Sequence, residues 1–138
     1  FKELSLKELY LILKIRQEVF IVEQRCFYLD CDHLDEKAIH FLGFKNGQLI
    51  SYMRVLCNES MNLCTLGRIL VTKNNRGNGF GVNIISEVIK ILENLNALYT
   101  FEMSAQTYLI DFYKKFNFHP VGNEYLDAGI PHIKMVKK

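Results

Sequence analysis

The chain has 138 residues, 49% of them apolar and 23% charged, and a formal net charge of +2. These values fit one globular domain, residues 1–138, with one core. The basic residues form no long run: Arg76 sits among glycines, and Lys134, Lys137 and Lys138 crowd the C-terminus. That pattern suits a small anionic ligand better than a polyanion and leaves nucleic acid out of the expected partners.

Ser5 followed by Glu8 reads as a capping box and opens a helix over Leu6–Phe20. Its apolar spacing runs through Leu6, Leu9, Tyr10, Leu13, Gln17 and Phe20. Arg16 lies along that face, either as a snorkelling edge residue or as a fixed charge near a pocket. Val19–Gln24 turns to β-branched residues and is expected to end the helix. Cys26–Lys37 is irregular and acidic, a solvated loop or a binding site for a cationic amine. Ala38–Lys45 and Gln48–Cys57 read as strands joined by Asn46-Gly47, a strong hairpin signal. After a loop at Asn58–Asn62, Leu63–Thr72 adds a third strand. A helix over Val82–Leu95 carries a wide apolar stripe through Val82, Ile85, Ile89 and Leu92, flanked by Ile84, Val88, Ile91 and Leu95. A strand at Ala97–Met103 completes a β-α-β unit with a right-handed crossover. Thr107–Phe116 reads as a helix with an Asp111–Lys115 pair, closed by Asn117. Phe118–Leu126 and Ile130–Val136 form a last hairpin around Asp127-Ala128-Gly129. The expected fold is a mixed α/β (α+β) sheet of about six mostly antiparallel strands, flanked by helices, with the β-α-β unit at its centre.

Cys26, Cys31, Cys57 and Cys64 form no C-x-x-C pair and are expected to be free thiols in a reducing compartment. A zinc site from Cys26, Cys31, His33 and His40 would match no common spacing, and no metal is expected. No apolar run approaches the roughly 20 residues that span a bilayer, and no signal peptide is expected. No membrane partner is expected, and the expected location is cytoplasmic. An exposed sheet edge leaves a homodimer open.

The chemistry concentrates at Arg76-Gly77-Asn78-Gly79-Phe80-Gly81, between a strand and a helix. Glycines carry an entropic cost that a backbone role must justify. A side-chain-free turn that runs into unpaired first-turn amides, at the positive end of a helix dipole, is a phosphate-binding site. The turn is not a Walker A loop, because Val82-Asn83 stands where Lys-Ser/Thr is needed. Neither is it a dinucleotide fingerprint, which needs glycine at Val82.

Arg-x-x-Gly-x-Gly in this setting resembles motif A of the GNAT superfamily of N-acetyltransferases. Phe112-Tyr113-Lys114-Lys115-Phe116-Asn117-Phe118 resembles its motif B, with Asn117 at a position usually held by glycine. Gly67–Val71, Arg16–Gln24 and Asp127–Met135 resemble the ElaA-type subgroup, so the similarity spans nearly the whole chain.

The resemblance implies acetyl transfer from acetyl-CoA (coenzyme A) directly to a primary amine, carried by a small molecule or an exposed amino group of a peptide. The alternatives are a non-catalytic acyl-CoA-sensing module and a protein-interaction domain. The resemblance also implies residue roles. The backbone amides of Arg76, Gly77, Asn78, Gly79, Phe80, Gly81 and Val82 hold the pyrophosphate, with charge added by Arg76. The backbone of Ile69, Leu70 and Val71, on a strand splayed from its neighbour, holds the pantetheine arm and polarises the thioester carbonyl. Tyr113 is the general acid, although periodicity alone would place it in the core. The general base is left among His132, His40 and Glu124, with His132 beside the last turn.

Overall fold

Helix α1 (Leu6–Arg16) begins at Ser5, whose side chain accepts from the Glu8 amide while Glu8 reaches back to the Ser5 amide. The structure is a computed structural model that describes residues 1–138. The helix does not end at Phe20. It continues as a π-helical segment over Gln17–Glu23, a rare geometry frequently found at functional sites. Its buried face is also rotated from the expected one. Ile12, Ile15, Arg16, Val19 and Phe20 point inward, while Leu6 and Tyr10 are exposed. The inward stripe packs on Leu49, Tyr52 and Leu70.

The sheet has six strands in the order β1-β2-β3-β4-β6-β5. β1 (Ile39–Lys45) and β2 (Gln48–Asn58) are antiparallel. They meet at Asn46 (φ 49°) and Gly47 (φ 74°), both in the left-handed region that a two-residue hairpin turn of this kind requires. β3 (Leu63–Val71) is antiparallel to β2 and parallel to β4 (Thr100–Gln106). Helix α2 (Phe80–Leu95) makes the crossover and buries Ile84, Ile85, Val88, Ile89 and Leu92 against the face opposite α1. On that same stripe Val82, Ile91 and Leu95 are exposed.

β4 begins three residues later than expected because the segment after α2 is anchored first. The Asn96 side chain donates to Asn62 Oδ1 at 3.0 Å, and the Thr100 amide donates to the Asn62 carbonyl at 2.8 Å. Thr107–Leu109 forms a 3-10 turn before a short helix α3 (Ile110–Lys114). The expected Asp111–Lys115 pair is replaced by Asp111–Lys114 at 2.9 Å. Asn117 takes φ 65° and ends the helix as read. β5 (His119–Asp127) and β6 (Ile130–Lys137) form the last hairpin, and β5 is exposed along its whole length.

The expectation of four free thiols is overturned. Cys57 and Cys64, which face each other across β2 and β3, are joined by a disulfide, so only Cys26 and Cys31 are free. Periodicity cannot show that two cysteines share a register position. Nor do Cys26, Cys31, His33 and His40 gather into a ligand cluster.

The acidic loop is not simply solvated, and it is no open cation site. Its three aspartates alternate with three arginines in a closed ring. Arg16 donates to Asp30 Oδ2 and Asp35 Oδ1, each at 2.6 Å. Arg54 donates to Asp35 Oδ1 at 2.9 Å and to both Asp32 oxygens at 2.7 Å. Arg68 donates to Asp30 Oδ1 at 2.7 Å and reaches Asp32 Oδ2 at 3.3 Å. Arg16 is fully buried. Burial alone would depress its ionisation, but hydrogen bonds to Asp35 and Asp30 outweigh this and hold it charged. Hydrogen bonds from Arg54 hold the Asp32 carboxyl well below the usual carboxylate range. For Asp35, burial pushes upward and the bonds from Arg16 and Arg54 more than reverse it.

These lowered native values have a consequence for stability. The contribution is complete above the unfolded value near pH 4 and is lost as pH falls below it. Thermal denaturation should therefore give a flat melting temperature above about pH 5 and a steep fall below about pH 4. Asp32→Asn should lower the plateau and flatten the fall.

Candidate active site

The strand before the turn and the strand after α2 separate as they leave the core. β3 and β4 pair only over Leu63–Thr65 and Thr100–Glu102. Beyond that, β3 runs on to Val71 and β4 to Gln106 with no pairing between them. A bulge helps this divergence. Between Tyr52 and Arg54 of β2, β3 fits one extra residue, and Arg68 takes φ 52°. Such a bulge re-aims a strand, and a non-glycine residue in that conformation costs on the order of 1–3 kcal/mol. The ion pairs of Arg68 to Asp30 and Asp32 hold it there.

The gap opens into a cleft of about 1150 Å³ that passes between the strands. Ile69, Leu70 and Val71 line it with Arg76, Gly77, Gly79, Phe80, Gly81 and Val82. The amides of Gly77, Asn78 and Gly79 donate to nothing within the chain. Those of Phe80, Gly81 and Val82 are first-turn donors of α2, whose first intrahelical bond is Asn83 to the Gly79 carbonyl. Gly79 caps the helix at φ 80°. Phe112 of α3 packs over this turn, with its Cζ 3.6 Å from the position a Gly81 side chain would take.

The Arg76 side chain is committed within the protein. It donates to both carboxylate oxygens of Glu23 and, through Nε, to the Val71 carbonyl at 2.9 Å. Its visible function is to tie the turn to the π-helical segment, which leaves backbone amides as the donors without a partner at this point.

Tyr113 lines the same cleft. Its ring packs edge-on against Phe112 and Phe118, with centroids 5.2 and 6.4 Å away. It is buried, yet its hydroxyl has no partner in the chain. The protein leaves no fully enclosed side-chain polar atom unpaired, so that hydroxyl opens on the cleft. Burial, and then the charge of Tyr108, push the phenol above its ordinary range and keep it protonated.

The three candidate bases separate. His132 lines the cleft and is half-buried. Its Nδ1 lies 2.8 Å from the Ile130 carbonyl, which can only accept, so the proton sits on Nδ1. Nε2 has no hydrogen-bond partner in the chain. Tyr125 stacks on His132 with centroids 6.2 Å apart and is itself bonded to Ser104. His40 is elsewhere, with Nδ1 2.7 Å from the Tyr52 hydroxyl and Nε2 2.8 Å from the Asp35 carbonyl. Burial also lowers its basicity, and it is a structural brace. Glu124 is exposed on β5 and does not line the cleft.

Sequence reasoning did not pick out Arg54, Arg68, Tyr28, Gln106 or Tyr108, all of which line the cleft. One signal was available for Arg68. Gly67 interrupts a strand pattern, which commonly marks a bulge.

The family profile described as an acetyltransferase (GNAT) domain matches residues 14–138. A UPF0039 protein of Synechocystis is 40% identical over 99% of this chain and 90% of its own length. ElaA of Escherichia coli is 35% identical over 99% of this chain and 91% of its own length. Its crystal structure superposes with a TM-score of 0.92 over 99% of this chain and 94% of that one. The crystal structure of an acyl-CoA N-acyltransferase from Pseudomonas aeruginosa, 34% identical, gives the same TM-score of 0.92 over 99% of this chain and 94% of that one. This chain belongs to the GNAT acetyltransferase family, in its ElaA-like group, and is an acyltransferase.

Proposed function

We propose that this protein is an acetyl-CoA-dependent N-acetyltransferase that moves the acetyl group directly to a primary amine. The observation that carries the reading is one cleft that unites an unpaired strand edge, a turn of free amides and a tyrosine hydroxyl without a partner. The turn from Gly77 to Val82 receives the pyrophosphate on backbone N–H groups at the positive end of α2. The unpaired edge at Ile69–Val71 takes the pantetheine arm as an added strand, and one of its amides polarises the thioester carbonyl.

The amine must lose a proton before it attacks, and Nε2 of His132 is the acceptor for it, directly or through water. Attack on the carbonyl carbon forms the C–N bond. Collapse breaks the C–S bond, and Tyr113 gives its proton to the departing sulfur. The newly bonded nitrogen then sheds its remaining extra proton, which reloads the Tyr113 oxygen through water, so the net products are amide, free thiol and the one proton held on His132.

Thermal denaturation tests the cofactor half of this reading. Acetyl-CoA at about 100 times its dissociation constant should add about 2.7 kcal/mol of stability. No shift with acetyl-CoA would end the reading. Gly79→Ala should weaken acetyl-CoA by about tenfold or more, equal to about 1.4 kcal/mol of binding. A β-carbon at φ 80° is strained, and it stands among the donor amides. Isothermal titration of the two proteins checks this.

A further inference from the structure

The charged side chains in the cleft wall are paired within the chain, with one exception. Arg54 and Arg68 are held by the aspartate ring, and Arg76 by Glu23. Among the lining carboxylates, Glu23 faces Arg76 and Asp32 faces Arg54 and Arg68. Asp127 also lines the cleft, but no lysine or arginine comes within ion-pair distance of it. It has no structural task either. An aspartate at the start of a tight turn commonly accepts from backbone amides further on. Asp127 stands at that place, before Ala128 (φ 48°) and Gly129 (φ 77°), and its carboxylate accepts no such bond.

Its position is defined by strand register. Tyr125 pairs with His132 across the last hairpin, and Asp127 pairs with Ile130. Tyr125 and Asp127 are two residues apart, so they project from the same face of β5, roughly 7 Å apart along the strand. Asp127 also stands near the buried Cys26, whose thiol is raised first by burial and then by the Asp127 charge. The carboxylate therefore lies on the His132 side of the cleft, toward the loop that follows the π-helical segment.

We propose that Asp127 determines acceptor specificity: it binds a second positive charge on the acceptor, so that the preferred substrates are short aliphatic diamines or other amines with a second ammonium group. This rests on the acetyltransferase reading. One amine sits at His132 and is acetylated while the other is held by Asp127. A singly charged amine of equal length leaves that carboxylate unpaired.

The test compares an α,ω-diaminoalkane series with aminoalcohols of equal chain length, by thiol release at saturating acetyl-CoA. The wild type should favour the diamine by at least about tenfold in kcat/KM, a factor that corresponds to 1.4 kcal/mol. In Asp127→Asn the ratio should fall toward one, chiefly through a higher diamine KM, and Asp127→Glu should restore part of it. The acetyl-CoA-induced thermal shift verifies that each variant is folded. Acetylation of both amines without preference, or an equal loss for both in Asp127→Asn, overturns this inference and leaves the acetyltransferase reading standing. Binding of acetyl-CoA with no thiol release for any amine overturns both.

Discussion

Replacing Tyr113 with Phe is expected to lower kcat by at least about tenfold while acetyl-CoA affinity and the melting temperature stay nearly unchanged, since a positioned acid typically contributes 10²–10⁴-fold. The reason is local. The ring packs between Phe112 and Phe118, and phenylalanine fills the same space. The hydroxyl has no partner in the chain, so its removal orphans no buried group. What is lost is a proton donor at the cleft. Burial raises the phenol above its ordinary range, so it stays loaded across the physiological pH range. Steady-state kinetics with a turned-over amine would show the fall in kcat, and titration of acetyl-CoA would show intact binding. Unchanged turnover would remove Tyr113 from the mechanism and leave the proton to water.

Arg16→Met should cost about 3–5 kcal/mol, the usual penalty for removing one partner of a buried ion pair. Arg16 is fully buried and bridges Asp30 and Asp35. Its loss leaves both carboxylates with one arginine each, in a place water does not reach easily. Urea denaturation should show the loss as a lower midpoint. There should also be a functional signature. The ring anchors the loop whose Tyr28, Leu29, Asp32 and Leu34 line one side of the cleft. The variant should therefore raise the acceptor KM more than the acetyl-CoA KM. An equal effect on both would mean that the ring supports the whole fold and not the acceptor wall.

Which features were legible in the sequence depended on how far apart their causes lie. Hairpin and cap geometry is set by adjacent residues. Asn46-Gly47, Asn117 and the Ser5–Glu8 box all read correctly. The break between β3 and α2 was legible too, because three glycines between a strand and a helix carry their own explanation. The charge ring was not legible, since its partners are 14, 22 and 38 residues apart. The same distance problem hid the pairing of Arg76 with Glu23, 53 residues away. The disulfide, with a sequence separation of only 7, was hidden because spacing does not show that Cys57 and Cys64 share a register position across β2 and β3. The inward face of helix α1 was misread because the ring and Tyr52 fix its rotation. Leu6 and Tyr10 fit the helical period and still face solvent. The π-helical segment holds β-branched residues that local propensity assigns elsewhere, and the burial of Val19 and Phe20 overrides it.

In the site, Tyr113 and His132 reach the cleft, and Glu124 does not. Glu124 was a candidate on chemistry alone. Strand β5 gains two residues between Val121 and Tyr125 relative to β6. That irregularity sits directly beside Glu124, and period-two reasoning cannot follow a side chain through it.

The central claim is tested most directly by incubating the protein with acetyl-CoA and primary amines, including diamines and lysyl peptides. Free thiol and acetylated amine are quantified together by absorbance and mass spectrometry. The account predicts equal amounts of the two products with at least one amine, well above thiol release without amine, and a large reduction in Tyr113→Phe. Tight acetyl-CoA binding with no amine-dependent thiol release would contradict it and mark the cleft as a cofactor-sensing site.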